Sequence, residues 1–400
     1  MRLYFPRVLF PVSTEKIIPK KMIPTTALSL GFSKQENIGL DKESFNAIMA
    51  YNWTPKSFNA ATFELVNLQY INNINVSNYF TVYGSSYNAL NNIAQPFATN
   101  PAFSNYFNVD NNLIIESGTN GFIKDVLSQN TSLVPSDDDF QEVRSIEERR
   151  KRLTENNLIL GSSFSYNFTT RKNEKDNQFY TLKTRFESAG NLLSLLTESS
   201  NFITNQEGQI TILGVQYSQY VKGDLEYIKL WDFNRGNVLA TRAFFGLAVP
   251  IGNSNNIPFS RSYFGGGSND NRAWQPYSLG PGTSGGVNDF NEANMKISLN
   301  VEYRFNVAGP VKAAVFADVG NIWNVLDNVE NTDFTFNGPT SLLDVAIGTG
   351  FGIRYDFDFF VIRTDIGFKT YNPAYEINDR WFREYNLSNA VLNIGVNYPF

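Results

Sequence analysis

The end of the chain sets the strongest constraint on what it can fold into. From Ala390 to Phe400 the even positions are Ala390, Leu392, Ile394, Val396, Tyr398 and Phe400, and the odd positions are mostly Asn and Gly. A period of two is that of a strand with one apolar and one polar face. An amphipathic strand of a soluble sandwich would read the same way. A strand that stops on an aromatic residue points instead to a bacterial outer-membrane barrel.

The alternation recurs upstream. In 359–370, Phe360, Ile362, Ile366 and Phe368 oppose Arg363, Asp365 and Lys369. In 344–356, Val345, Ile347, Phe351, Ile353 and Tyr355 oppose Gly348, Gly350, Gly352, Arg354 and Asp356. In 311–320, Val315, Ala317 and Val319 oppose Lys312, Phe316 and Asp318; in 295–305, Leu299, Val301 and Tyr303 oppose Asn300, Glu302 and Arg304. Earlier strands are expected at 237–250, 223–233, 208–219, 178–189, 156–169, 58–72, 43–53 and 23–33, with 58–72 and 223–233 alternating poorly. A tilted strand needs roughly ten residues to cross the hydrocarbon, which these runs supply. Ionisable groups on one face of each strand would ruin a soluble core but suit a wet lumen. The expected fold is therefore all-β, a transmembrane antiparallel barrel.

Composition agrees. Aromatic residues make up 15% of the chain and charged residues only 18%. Yet no run of about 18 apolar residues occurs, so a membrane-spanning helix is excluded. There is no Cys and no His, which removes disulfides, thiolate and imidazole catalysis and the usual zinc ligands; no cofactor or metal is expected. A net charge of −5 without a basic block argues against nucleic acid. A paired-carboxylate hydrolase is conceivable, but no particular pair is nominated, and no enzyme is expected.

Connection lengths carry topology, because outer-membrane barrels have short periplasmic turns and longer extracellular loops. With Phe400 at the periplasmic rim, 371–388, 324–342 and 251–293 fall outside, and the short junctions near 357, 306–310 and 234–237 fall inside. The same count puts the longest connection, 75–155, in the periplasm. Within it Ser136–Asp139 can cap a solvated helix running to about 153. The segment 190–207 also looks helical at Asn191–Leu196. A hidden strand in either stretch would invert the parity of everything upstream.

The most informative motif lies in the long loop at 251–293: Gly265, Gly266, Gly267, then Asn271-Arg272-Ala273-Trp274, then Leu279-Gly280-Pro281. No helix with phosphate-cradling spacing follows, so this is no nucleotide loop. It resembles the BamA/TamA superfamily, whose extracellular loop carries an Arg-Gly-aromatic tip after a Gly-Gly pair. Here Ala273 stands where that family usually has glycine, which restricts positive φ at the tip. Phe316-Ala317-Asp318-Val319-Gly320 is similar to the strand motif of the same family. The resemblance implies that the loop folds into the lumen, with Arg272 meeting Asp318 and Glu302 and with Phe316 packing nearby. Asn271, Trp274 and Gly266 would shape the tip. Alternation alone already points Glu302 and Asp318 inward, and Arg354 and Arg363 are competing partners for them.

The likeness extends over roughly 1–400 and is strongest from 259 onward, in the manner of TamA-like members. It implies periplasmic POTRA domains before a barrel of about sixteen strands. About thirteen are countable here, and Leu3-Tyr4-Phe5-Pro6 looks like the tail of another. The start, MRLYFPRVLFPVS, has no apolar signal core. Either the chain is cytosolic or its beginning is missing, and the rest favours the second. The implied role is outer-membrane protein assembly or translocation in a Gram-negative type of envelope. Lipid, client β-barrel or surface proteins and accessory periplasmic or lipoprotein subunits are the implied partners. The seam strand would be 389–400, with Leu392, Ile394, Val396, Tyr398 and Phe400 on its apolar face. A passive secretion or transport pore of the same architecture, and an inert barrel fragment, are the rival readings.

Overall fold

The computed structural model describes all residues except 36–40, 174–175, 198–202, 206–207, 287–290 and 358–359. Its main element is one antiparallel sheet of 13 strands laid side by side in chain order. They are β1 (Arg2–Phe5), β2 (Thr25–Gln35), β3 (Asp41–Trp53), β4 (Ala60–Ile74), β5 (Asn157–Thr169), β6 (Tyr180–Ala189) and β7 (Tyr220–Asp232). The series continues with β8 (Val238–Pro250), β9 (Met295–Ala308), β10 (Val311–Trp323), β11 (Ala346–Asp356), β12 (Val361–Tyr371) and β13 (Val391–Val396). Each strand pairs antiparallel with its neighbours in the chain. The two edges are β1 and β13.

The wall is inverted relative to a soluble protein. Glu302 and Asp318 are 0% exposed, whereas Leu392 and Ile394 are 62% and 71% exposed. Leu299, Val301, Val315, Phe351, Ile353 and Ile362 join that exposed face, and Arg354, Arg363 and Asp365 join the buried one. Leaving one such aliphatic group in water forfeits roughly 1.5–3 kcal/mol, and many in a row make an aqueous surface untenable. Lipid resolves this, because a continuous sheet satisfies its own backbone groups and leaves side chains to meet the hydrocarbon.

Expectations change at two places along the sheet, with consequences for the long connection. The segment 208–219 is no spanning strand. Leu213 and Gly214 have φ of 54° and 78°, a turn that folds Thr211–Ile212 back on Val215–Gln216. Its place in the count is taken by β1, which pairs with β2 from Arg2↔Ser29 to Phe5↔Thr26. Removing one crossing inverts the parity upstream, so 75–156 emerges on the same side as the connectors 251–294 and 324–345. Direct contacts agree: Arg144 lies 2.5 Å from Glu330, and Arg152 lies 3.5 Å from Asp327.

That long connection folds around its own core. Helices α1 (Tyr79–Val82), α2 (Gly84–Ala94), α3 (Ser117–Leu127) and α4 (Asp138–Thr154) bury Tyr79, Leu90, Phe122, Val126, Val143 and Ile146 together. The expected helix to about 153 is α4, but it is not merely solvated. One face buries Phe140, Val143 and Ile146, and Arg149 and Arg152 are buried as well. At its start, Asp137 accepts a hydrogen bond from the Val134 backbone N–H at 2.9 Å rather than from the helix. The expected helix in 190–207 is α5 (Asn191–Thr197); 198–202 and 206–207 lie outside the described residues, as does the first residue of the 359–370 segment.

The second change is at the C-terminus. Regular pairing stops at Val396, and Asn397 turns the backbone with φ of 65°. Tyr398 and Phe400 therefore leave the outward face. The Arg304 guanidinium lies 4.1 Å from the centre of the Tyr398 ring and 5.7 Å from that of Phe400. Phe400 also packs against Ile228, Leu230, Val238 and Ala240. A buried cation facing the lumen gives these rings a better partner than continued alternation would.

Candidate functional site: the loop arginine on the inner wall

Strand register assembles the site. Asn300 pairs with Asp318 and Glu302 with Phe316 between β9 and β10. Across β10 and β11, Asp318 faces Gly348 and Phe316 faces Gly350. Asp365 of β12 faces Gly352 on one side and Asn393 of β13 on the other. The inner wall therefore offers carboxylates at its margins and glycines between them.

The glycines form a floor for the loop tip. A Cβ at Gly367 would stand 2.6 Å from the Arg272 carbonyl carbon and 2.8 Å from the Ala273 nitrogen. At Gly348 it would stand 2.6 Å from the Ala273 Cβ. The loop closes above this floor through Gly266 and Gly267, whose φ values of 87° and 108° suit glycine. Gly266 N–H donates to Asp270 Oδ2 at 2.9 Å, and Gly267 N–H to the Trp274 carbonyl at 2.8 Å. Asp270 is in turn held by Lys296 at 3.0 Å and by the Ser298 hydroxyl at 3.0 Å. Ala273 keeps a negative φ, so its methyl group does not strain the tip.

Arg272, 1% exposed, is the centre. Its Nε and Nη2 donate to Asp318 Oδ2 and Oδ1 at 2.8 and 2.9 Å, a two-pronged fork. Nη1 donates to Glu302 Oε2 at 2.5 Å. The backbone N–H of the same residue reaches Asp318 at 3.1 Å. The guanidinium carbon sits 3.5 Å from the Phe316 ring centre, close enough for cation–π attraction in a buried site. Asn300 completes Asp318 with a 2.8 Å hydrogen bond.

The competing arginines do not displace it; they take a third carboxylate. Asp365 accepts from Arg363 at 2.7 Å and lies 2.6 Å from Arg354 Nη1. Arg354 also lies 3.1 Å from Glu302, and its contacts are ion pairs rather than aligned hydrogen bonds. Arg304 donates to Glu302 at 2.7 Å. Arg363 reaches the loop as well, donating to the Ser268 carbonyl at 2.9 Å and to Asn269 Oδ1 at 2.6 Å. Breaking such a buried pair by removing one partner strands a charge, at about 3–5 kcal/mol.

The remaining expected residues are close by. Asn271 donates to the Ala346 carbonyl at 3.2 Å. Trp274 packs with Ala273, Leu279 and Ala346. Sequence reasoning missed Asp365, Asn300, Arg304, Asn393 and the glycine floor as parts of this cluster. The inward parity of Asp365 and the glycines was readable, but their convergence on Arg272 depends on register. Among the described residues no group of three acidic side chains is placed to hold a metal ion.

An antiparallel wall greasy outside and charged inside, with a loop arginine bound to that interior, defines an outer-membrane β-barrel protein. A model of the Omp85 superfamily domain matches residues 25–383, and the chain belongs to the Omp85 superfamily. In fold it is similar to BamA from Haemophilus ducreyi lacking POTRA domains 1–3, at 10% identity and a TM-score of 0.53. That match covers 99% of this chain and 60% of the BamA chain, so this chain spans less than two thirds of its length. CdiB from Acinetobacter baumannii also matches, at 10% identity and a TM-score of 0.41, over 93% of this chain and 49% of that one.

Proposed function

We propose that this chain is the barrel of an assembly or translocation factor that helps β-rich client proteins enter or cross the outer membrane through a lateral seam. The observation that carries the reading is the position of the loop lock. Arg272 binds carboxylates on β9 and β10, and its carbonyl accepts a 2.9 Å hydrogen bond from Asn393 on the edge strand β13. A brace that reaches an edge can hold the lumen in shape while that edge exchanges partners. The edge offers unpaired backbone groups and the outward residues Leu392, Ile394 and Val396, which is what an incoming amphipathic strand needs. The helical unit at 75–155 is in this reading an extracellular module resting on the loops, and 251–293 is the lumen-folded loop. No covalent chemistry is involved. Outer-membrane lipid and client proteins are the partners, with accessory subunits implied by family likeness alone.

Depletion of the protein tests the reading. Outer-membrane or secreted β-protein levels should fall, and the protein in planar bilayers should give only small, fluctuating conductance. Steady large conductance with unchanged client levels would replace the assembly reading with that of a passive pore.

A further inference from the structure

Beside the edge strand, the connector from β12 to β13 does something its length does not require. β13 pairs only with Ile362–Gly367 of β12, leaving the upper end of β12 without that partner. Residues 380–382 fill the gap. Asn372 N–H donates to the Arg380 carbonyl at 2.9 Å, Tyr371 bridges Trp381, and Phe382 N–H donates to the Thr370 carbonyl at 2.9 Å.

The side chains of this substitute strand form an aromatic series that begins on the wall itself. Outward Phe351 lies 6.2 Å from Phe368, and Phe368 stacks on Tyr385 at 5.0 Å. Tyr385 meets Phe382 at 5.6 Å, Phe382 meets Trp381 at 5.8 Å, and Trp381 meets Tyr371 at 4.9 Å. Phe351 belongs to the apolar exterior, so the series is continuous with the face that lipid covers. Trp381 and Phe382 are nevertheless 54% and 61% exposed. Phe382 also holds a φ of 56°, a costly conformation for a bulky residue, kept by its bond to Thr370. Charged neighbours stand next to the rings: Arg383 pairs with Asp379 at 2.8 Å, and its guanidinium carbon lies 4.4 Å from the centre of the Tyr375 ring.

We infer that Trp381, Phe382 and Tyr385 form a loop-borne lipid anchor that sits at the outer boundary of the bilayer, against the upper half of the edge. Aromatic rings favour that boundary because an apolar body and a polar rim are accommodated at one depth. Wall residues normally supply such a girdle. Here a loop supplies it where the last strand is too short. On the side of β12 that faces away from β11, the anchor fastens the upper end, while β13 pairs with the lower part. The inference rests on the barrel fold and not on the client-handling role, so either can fail alone.

The absence of native cysteine makes the test direct. Trp381→Cys, Phe382→Cys, Ile394→Cys and Val109→Cys are each labelled with an environment-sensitive fluorophore in proteoliposomes, at low protein-to-lipid ratio. Heat-modifiable migration shows which variants have folded. Ile394 reports the lipid-facing wall, and Val109, on the helical unit, reports water. Labels at 381 and 382 should be quenched by lipids spin-labelled near the headgroup, while Ile394 responds most to a deeper spin label. Quenching of 381 and 382 by aqueous iodide alone, as at Val109, would overturn the anchor. So would protection from both quenchers, which would mean that protein covers the patch. If Phe382→Cys does not fold, Trp381→Cys decides.

Discussion

Asn393 and Arg272 lie 121 residues apart and are joined by a 2.9 Å hydrogen bond from the Asn393 side-chain amide to the Arg272 carbonyl. That bond ties the loop, whose guanidinium binds β9 and β10, to the edge strand β13. Asn393→Ala leaves a buried carbonyl without its donor, worth about 1–3 kcal/mol. Amide exchange across Val391–Val396 should accelerate while that of β9 and β10 stays unchanged. Equal acceleration everywhere would mean that the bond has no special hold on the edge.

Gly367 is a sensitive position on the floor. A Cβ there would sit 2.6 Å from the Arg272 carbonyl carbon, whereas at Gly31 it would meet nothing within 4 Å. Gly367→Ala should lift the tip, cost about 1–3 kcal/mol and expose the loop to trypsin. Gly31→Ala should remain within roughly 0.5 kcal/mol of the parent protein. Thermal unfolding followed by heat-modifiable migration separates the two.

The sequence carried the wall well and the site in part. Strict alternation made β9 to β12 readable, because a slip of one residue would turn every side chain to the wrong face. Glu302, Phe316 and Asp318 could be pointed inward on that basis alone, and the family likeness supplied Arg272. Three features were not readable. The Leu213-Gly214 turn breaks a segment whose composition suits a strand, and only the backbone reveals it. Asn397 ends the alternation before Tyr398 and Phe400, because Arg304 offers their rings a lumenal partner from almost a hundred residues away. The glycines of the floor were readable only as inward positions of the alternation, and their meaning depends on what lies over them.

Topology can be checked on living cells. Val109 and Leu213 are almost fully exposed and both fall on the extracellular side once 208–219 is no longer a crossing. Val109→Cys and Leu213→Cys should react with a membrane-impermeant thiol reagent on intact cells, and Gly309→Cys, in the β9–β10 turn, should not. Labelling of Gly309→Cys with silence at Val109→Cys would restore the periplasmic placement of 75–155.

The helical unit should respond to pH. Burial lifts the Glu148 carboxyl to about 7, outweighing the attraction of Arg152 and Arg144. Burial also raises Asp327, while Arg144 lowers Glu330. A carboxyl raised in the folded state binds its proton more tightly there than when unfolded. Its contribution therefore grows as pH falls from above 7 toward the unfolded value near 4.5 and is constant below that. Glu330 runs the other way, its contribution fading only in more acidic solution. Protection of α4 amides, corrected for intrinsic exchange, should accordingly rise between pH 8 and pH 5. Glu148→Gln should flatten the dependence; an unchanged slope in that variant would assign it to another group.

The most direct test of the account is a double-mutant cycle on Arg272 and Asp318, read as unfolding stability in detergent or lipid. Arg272→Ala should cost about 3–5 kcal/mol, because it leaves the buried Asp318 carboxylate without a cation, and Asp318→Ala should cost less, because Arg272 keeps Glu302. The double substitution should cost less than their sum, by a coupling of roughly 1–3 kcal/mol. Strictly additive losses would mean that loop and wall are not in contact, and the lock would have to be given up.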